Sequence, residues 1–178
     1  MVELPEELRN RPARKPGQVP SATLTLDAYA RLKSELHELT TTGRDRMGER
    51  LKIAREHGDI RENAEYDAAK NEQGLMEARI RQLERMLRDP EIIEAPVDAD
   101  AVGPGMLVTV LPLDDDDPEE ETYLLADSAE ERAPGVRTMT TTSPLGSALN
   151  GAAKGDEVVS AAPGGKFRYR IVEFRPHA

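Results

Sequence analysis

Apolar positions recur at helical spacing over the first half of the chain. The stripe starts near Thr25 and Asp27, either of which can cap a helix. Its first members, three or four residues apart, are Leu26, Tyr29, Leu32, Leu36 and Leu39. It weakens at Gly43 and Gly48, which lower helix propensity without ending a helix. It resumes with Met47, Leu51 and Ala54 and stops at Gly58. This pattern predicts one long helix with a near-heptad seam.

A second helical stripe follows and is closed by Pro90. Its members are Ala64, Ala68, Leu75, Met76, Ile80, Leu83 and Leu87. Two long stripes joined by a short turn predict an antiparallel coiled-coil hairpin. Each arm would contain about 25 to 30 residues and be roughly 40 Å long. The seam residues near the turn are alanines, so the end of the hairpin is expected to be thin and to protrude.

The second half of the chain changes to a period of two. Strands are predicted in the segments MLVTVLPL, ETYLLAD and VRTMTTT, and a closing hairpin in DEVVSAA–PGGK–FRYRIVEF. Between them, Ser143 as a cap and Pro144 at the first helical position predict a short helix. The predicted fold class is therefore α+β, with an N-terminal helical hairpin followed by an antiparallel sheet domain that carries one short helix.

These patterns divide the chain into four parts. We expect a flexible, proline-rich extension over residues 1–22, the hairpin over 23–90, a linker over 91–104 and the sheet domain over 105–178. The basic residues of the extension could form an arm that contacts a partner. Residues 114–121 carry seven carboxylates and a proline, which predicts a solvated loop because like charges at this density repel one another.

Composition and charge narrow the class of function. The chain has 178 residues, a formal net charge of −10, 3% aromatic residues and no cysteine. An acidic chain is a poor nucleic-acid binder by itself, because phosphate contacts supply most of that affinity. The chain also lacks a thiol nucleophile, an apolar leader, an apolar run of membrane-spanning length and a recognisable zinc or phosphate-loop motif. We expect a cytoplasmic protein that has no membrane contact and no enzymatic activity of its own and that is monomeric.

The segment GDIRENAEY, residues 58–66, allows two interpretations. Asp59 and Glu62 are three residues apart, the spacing of a helix cap and its partner, and such a cap stabilises a helix by about 1 kcal/mol. Alternatively, both carboxylates are displayed at the hairpin end. Two carboxylates cannot hold Mg²⁺ alone, since the ion takes six oxygen ligands, but they can complete a site whose other ligands belong to a partner. Spacing leaves both possibilities open.

Residues 54–87 closely resemble the bacterial transcription elongation factors of the GreA/GreB family. Members carry a very similar GD-x-x-ENAEY-x-AA segment at a hairpin tip. The segments SPLGSALNGAAKGDEV and PGGKFRYRIVEF resemble the family's C-terminal domain, and the resemblance covers about residues 23–175, with a GreA-like texture. It implies an FKBP-like fold for the C-terminal domain.

The resemblance also implies a function. Such factors bind RNA polymerase, insert the hairpin into its secondary channel and stimulate cleavage of the 3′ end of backtracked RNA by the polymerase active site. Residues Asp59 and Glu62 match the tip acids, which help to hold a Mg²⁺ ion shared with the polymerase, and Tyr66 matches a tip residue that supports them. Arg55 and Lys70 match basic positions that face the nascent RNA.

The resemblance further places Ser143 and Pro144 in a loop that docks on the polymerase. Asp67 departs from the family, because many members have histidine there, and Arg61 lies between the two acids. Two alternatives remain. One is a channel-occupying inhibitor without cleavage stimulation, which the retained acids disfavour. The other is a prolyl isomerase, which the scarcity of aromatic residues disfavours.

Overall fold

The computed structural model describes residues 4–56, 64–94 and 99–177. In chain order its elements are α1 (Glu6–Arg9), β1 (Thr23–Leu24), α2 (Leu26–Glu38), a π-helical turn (Leu39–Gly43), α3 (Arg44–Glu56), α4 (Ala64–Arg88), β2 (Glu91–Ile92), β3 (Met106–Pro112), β4 (Glu121–Ala126), β5 (Arg137–Thr140), α5 (Pro144–Leu149), β6 (Glu157–Ala162) and β7 (Gly165–Pro176). They form two compact units. The hairpin unit contains residues 12–22 and 29–90. The sheet unit contains the described residues up to 11, residues 23–28 and the described residues after 90.

The hairpin unit consists of two antiparallel helical arms. Arg44 on α3 pairs with Glu77 on α4, whereas Arg50, further along α3, pairs with the earlier residue Glu72. Residues later in α3 therefore pair with residues earlier in α4, so the two helices are antiparallel and the predicted helical hairpin is confirmed.

A π-helical turn interrupts the first arm. After the buried residues Ala28 and Tyr29, the seam of the arm follows the buried or half-buried positions Leu32, Leu36, Leu39, Gly43, Met47, Leu51 and Ala54. Their spacing contains one residue more than a strict heptad pattern, and a π-helical turn absorbs one extra residue without leaving the helix. Within the turn, the hydroxyls of Thr40 and Thr41 donate to main-chain carbonyls of the preceding turn at 2.7 Å each.

The seam of α4 differs in part from the predicted stripe. Its less exposed positions are Ala69, Gln73, Met76, Ile80, Leu83 and Leu87. Ala69 is fully buried whereas Ala68 is exposed, and Leu75 is 72% exposed. The heptad pattern counted back from Ile80 falls on Gln73 and Ala69, so the assignment of Ala64, Ala68 and Leu75 to the seam was wrong.

Part of the N-terminal segment holds the end of α4. Arg14 Nε donates to Asp89 Oδ2 at 2.7 Å, and Arg14 Nη2 donates to the carbonyl of Pro90 at 2.9 Å. Ser21 Oγ donates to the carbonyl of Met86 at 2.7 Å and accepts from Asp89 N at 3.0 Å. The last carbonyls of a helix have no partner within the helix, so these donors from a remote segment act as its C-terminal cap.

The sheet unit is built on five strands in the order β5–β4–β3–β7–β6. The pairs β3–β4, β3–β7 and β6–β7 are antiparallel. The pair β4–β5 is parallel, so the sheet is mixed, and the prediction of a mainly antiparallel sheet is confirmed. Residues 127–136 connect the end of β4 to the start of β5. A parallel pair requires a connection of this kind, because the chain must return to the end of the sheet at which the first strand began. The main core cluster contains Val102, Met106, Val108, Val110, Leu125, Leu149 and Ile171. A smaller buried cluster contains Leu107, Leu124 and Ala133, and alternation along β3 places Leu107 on the face opposite Met106 and Val108.

Residues 23–28 belong to the sheet unit, although the sequence places them with the hairpin. Strand β1 pairs in parallel with β2. Thr25 caps α2, because its Oγ1 accepts from Ala28 N at 3.2 Å. Buried Glu131 holds this cap from the connection between β4 and β5: one carboxylate oxygen accepts from Thr25 N at 2.6 Å and the other from Thr25 Oγ1 at 2.7 Å.

Candidate functional site

The candidate site is the end of the helical hairpin. Asp59 and Glu62 lie outside the described residues, which stop at residue 56 on one side and resume at 64 on the other. The described flanks contain three further candidates: Arg55 in the last turn of α3, and Tyr66 and Lys70 in the first two turns of α4.

Arg55 and Tyr66 contact each other across the hairpin. Arg55 Nη2 donates to Tyr66 Oη at 3.3 Å, and the Arg55 Cζ atom lies 5.5 Å from the centre of the Tyr66 ring. Below them, Ala54 and Ala69 are buried in the seam. Small seam residues bring the helix backbones close together, so a long side chain on one helix can reach an aromatic ring on the other.

The charges around Tyr66 favour its ionised form. The hydrogen bond from Arg55 holds the pKa of the Tyr66 phenol below its usual value, against the opposing effect of desolvation. The charges of Arg55 and Lys70 act in the same direction, whereas Asp67 raises this pKa. Lys70 Nζ itself donates to Gln73 Oε1 at 2.8 Å.

Three of the four other basic residues of α3 are paired with carboxylates. Arg44 makes two hydrogen bonds of 2.9 Å to the carboxylate of Glu77, and Arg50 is bonded to Glu72. Lys52 lies 3.7 Å from Glu49 on its own helix. Arg55 differs from Arg44 and Arg50, since its cross-helix contact is with an aromatic residue.

A depression of about 340 Å³ also lies near the hairpin end. It is lined by the apolar residues Ile53, Ala54 and Ala68 and by the charged residues Arg50 and Glu65. Ile53 is 46% exposed. The lining of this depression is therefore mixed, with apolar and charged side chains together.

Two protein-family models match the chain. The model described as "Transcription elongation factor, N-terminal" matches residues 22–92, and the model described as "Transcription elongation factor, GreA/GreB, C-term" matches residues 97–176. The chain belongs to the GreA/GreB family of transcription elongation factors. The residues before 22 lie outside both matches, so the N-terminal segment that caps α4 is an addition to the part of the chain that the family models recognise.

Individual relatives agree with this assignment. The transcription elongation factor GreA of Streptomyces avermitilis is 40% identical over 155 residues, which are 86% of this chain and 93% of the relative. The transcription elongation factor GreA of Geobacillus kaustophilus is 43% identical over 150 residues, 84% of this chain and 93% of the relative. Among solved structures, GreA factor homolog 1 of Thermus thermophilus is 28% identical and covers 88% of this chain and 99% of that chain, with a TM-score of 0.36. Because the two whole structures superpose poorly at this score, the family assignment depends on the sequence matches.

The remaining candidates of this GreA/GreB family member lie in the sheet unit. Ser143 caps α5: its Oγ donates to the carbonyl of Thr140 at 2.8 Å and accepts from Gly146 N at 3.1 Å. Pro144 is exposed at the first helical position. The predicted short helix is confirmed, and Ser143 uses its hydroxyl within the fold. The docking role of both residues stays a prediction.

Metal-binding groups and membrane-spanning helices can be assessed only for the residues that the structure describes. In that part of the chain, no group of three or more His, Asp or Glu side chains is arranged to hold a metal ion. No helix there is long and apolar enough to cross a membrane.

Sequence reasoning missed Glu131 as the residue that positions the start of α2. Its partner Thr25 is 106 residues earlier in the chain, and neither residue belongs to a motif. A single buried glutamate in a loop has no periodic or spacing signal that could have identified it.

Proposed function

We propose that this elongation factor stimulates cleavage of backtracked RNA by RNA polymerase, with the hairpin end reaching the polymerase active site through the secondary channel. Membership of the GreA/GreB family supports RNA polymerase as the partner. The observation that supports the site most directly is the Arg55–Tyr66 contact, which joins the two helices that flank Asp59 and Glu62.

In this proposal, Asp59 and Glu62 act as ligands in a composite site. Carboxylate oxygens are the donors that Mg²⁺ prefers, and two of them leave positions for the carboxylates of a partner. A bound ion of this kind activates water and stabilises the leaving oxygen in phosphoryl chemistry. The contribution of this chain is to bring two ionised carboxylates to the polymerase and to hold them in place.

Arg55 and Lys70 place positive charge beside the acids. Nucleic-acid phosphates are attracted by such charge, so these residues are suited to face the 3′ segment of the nascent RNA. The net charge of −10 indicates that this contact depends on prior docking to the polymerase and is not free RNA binding. On this proposal the factor is a cytoplasmic monomer that has no nuclease activity of its own and relies on the polymerase for the chemistry.

The test uses RNA polymerase stalled in a backtracked complex with Mg²⁺. Adding the factor should shorten the RNA from its 3′ end and restore elongation. Asp59→Asn and Glu62→Gln should each lower the cleavage rate by roughly 10- to 100-fold, as removal of groups that support a metal site does. Polymerase binding should stay nearly unchanged. Glu56→Gln is the matched control, because it makes the same charge change on α3 at an exposed position.

Three results would contradict the proposal. If the unaltered factor binds without cleavage, the channel-occupying inhibitor is the correct function. If it cleaves free RNA without polymerase, the shared site is wrong. If Glu56→Gln is as defective as Asp59→Asn, the loss reflects general charge and not the two tip acids.

A further inference from the structure

The contact between Arg55 and Tyr66 combines two interactions with one partner. The guanidinium donates to the phenol oxygen at 3.3 Å and also lies over the ring, with 5.5 Å between Cζ and the ring centre. A hydrogen bond to the hydroxyl alone would still allow the ring to turn about its Cβ–Cγ bond, because that axis passes through the hydroxyl oxygen. A contact with the ring face alone would leave the direction of the hydroxyl undefined. Together they define both the plane of the ring and the position of its oxygen.

The position of this pair in the hairpin gives it its importance. Arg55 and Tyr66 are eleven residues apart in sequence, and they are the cross-helix pair nearest to the tip for which the structure gives a side-chain contact. Arg44 and Arg50 make the preceding cross-helix contacts with carboxylates. Tyr66 is half-buried whereas Arg55 is exposed, so burial restricts the phenol only in part and the contact with the arginine adds a further restraint.

We propose that Arg55 is a positioning residue that holds the Tyr66 side chain beside the tip and contributes to cleavage mainly through Tyr66. This inference rests on the proposed function and deepens it, since a basic tip residue was expected to act on RNA directly. The two roles make different predictions. A direct RNA contact acts independently of Tyr66, whereas a positioning role loses its effect once the ring and hydroxyl of Tyr66 are removed.

The electrostatics of the phenol agree with this geometry. The hydrogen bond from Arg55 is the largest cause of the lowered pKa of Tyr66, with desolvation opposing it, and Lys70 and Asp67 contribute with opposite signs. Removing the arginine should therefore move the ionisation of this one phenol, even in the absence of polymerase.

The first experiment measures that ionisation in the full-length factor alone. The protein is labelled with a ring-fluorinated tyrosine, the Tyr66 signal is assigned by its loss in Tyr66→Phe, and fluorine NMR follows its titration. Arg55→Gln should raise the pKa of Tyr66, and Arg55→Lys should restore part of the shift. Lys52→Gln is the matched control, because it removes one positive charge a single turn away, where Lys52 faces Glu49. An equal pKa for Tyr66 in Arg55→Gln and Lys52→Gln would overturn the inference.

The second experiment is a double-mutant cycle on cleavage in a backtracked complex. Arg55→Gln should slow cleavage by about two- to fivefold, the value of an exposed cation–π contact. In a Tyr66→Leu background, which removes both the ring and the hydroxyl, the same change should have almost no further effect. If the two effects multiply, Arg55 acts on RNA directly and the inference is wrong. If the unaltered factor does not cleave, the proposed function has failed, and the phenol titration decides by itself whether Arg55 positions Tyr66.

Discussion

The link between Glu131 and Thr25 gives the strongest stability prediction. Glu131 is 5% exposed, and its two carboxylate oxygens accept from Thr25 N at 2.6 Å and Thr25 Oγ1 at 2.7 Å. The same Oγ1 accepts from Ala28 N, so the carboxylate orients the hydroxyl that caps α2. Loss of Glu131 therefore removes both a buried contact and the alignment of a helix cap.

The magnitude follows from the number and kind of hydrogen bonds. A hydrogen bond to a charged group contributes about 1.5 to 3 kcal/mol, and relief of the burial of Glu131 offsets part of the sum. We expect Glu131→Ala to lower the free energy of unfolding by about 2 to 4 kcal/mol. Glu131→Gln keeps the shape, because its oxygen can accept from Thr25 N and its amide can donate to Thr25 Oγ1, so we expect a loss of about 1 kcal/mol.

Urea unfolding followed by circular dichroism measures these differences. Glu119→Ala is the control, because Glu119 is an exposed glutamate in the acidic loop and should change stability by less than about 0.5 kcal/mol. Thr25→Val tests the coupling, since it removes the hydroxyl but keeps the N–H group. If Glu131→Ala matches Glu119→Ala, or if Glu131→Ala and Thr25→Val are additive, the carboxylate does not hold the cap.

Three further predictions concern glycines and one ion pair. Gly48→Ala should raise the free energy of unfolding by about 0.5 to 1 kcal/mol, because Gly48 lies within a helix and an added Cβ meets nothing within 4 Å; a loss of stability in urea unfolding would contradict this. Gly146→Ala should lower stability by about 2 kcal/mol or more, because its Cβ would lie 2.1 Å from the carbonyl oxygen of Thr140; an unchanged unfolding midpoint would contradict that close approach. Arg168 donates three hydrogen bonds to Asp114 and holds the pKa of that carboxyl below its ordinary value of 3.8. The ion pair stabilises the fold fully above the ordinary pKa of this carboxyl, and its contribution is lost as the pH falls through the lower pKa of the folded state. Near neutral pH, Asp114→Asn should therefore have a lower melting temperature than the unaltered chain, and the difference should disappear in acid.

Local sequence patterns predicted most of the elements. The alternating segments became β3, β4, β6 and β7, and the Ser143–Pro144 pair became the start of α5. These signals succeed because each depends on residues within one turn or one strand. The errors within the same elements concern which residues of a helix face the neighbouring helix. Ala68 and Ala69 are equal in size and adjacent, so composition cannot decide which one faces α3. The heptad count back from Ile80 selects Ala69, but it also requires the polar Gln73 in the seam and the apolar Leu75 outside it, against the hydrophobic pattern.

Contacts between distant residues were not predictable in this way. Arg14 and Asp89 are 75 residues apart, and Thr25 and Glu131 are 106 apart. Each pair satisfies backbone groups at a helix end, which local residues often do instead. The prolines of the N-terminal segment indicated where a long helix could not form, but they carried no information about the helix end that this segment caps.

The candidate site combines both kinds of information. The motif already singles out Arg55 among the arginines of α3, because the resemblance matches it to a basic position that faces the RNA. The structure separates them by their cross-helix partners. Arg44 and Arg50 face carboxylates that offset their charge, whereas among the described residues Arg55 makes its cross-helix contact with the phenol of Tyr66. In its usual neutral form a phenol, unlike a carboxylate, does not offset the charge of an arginine, so positive charge remains at Arg55, next to the segment that contains Asp59 and Glu62. This arrangement fits the proposed function, in which the hairpin end attracts an RNA phosphate and brings carboxylates to a metal ion shared with the polymerase.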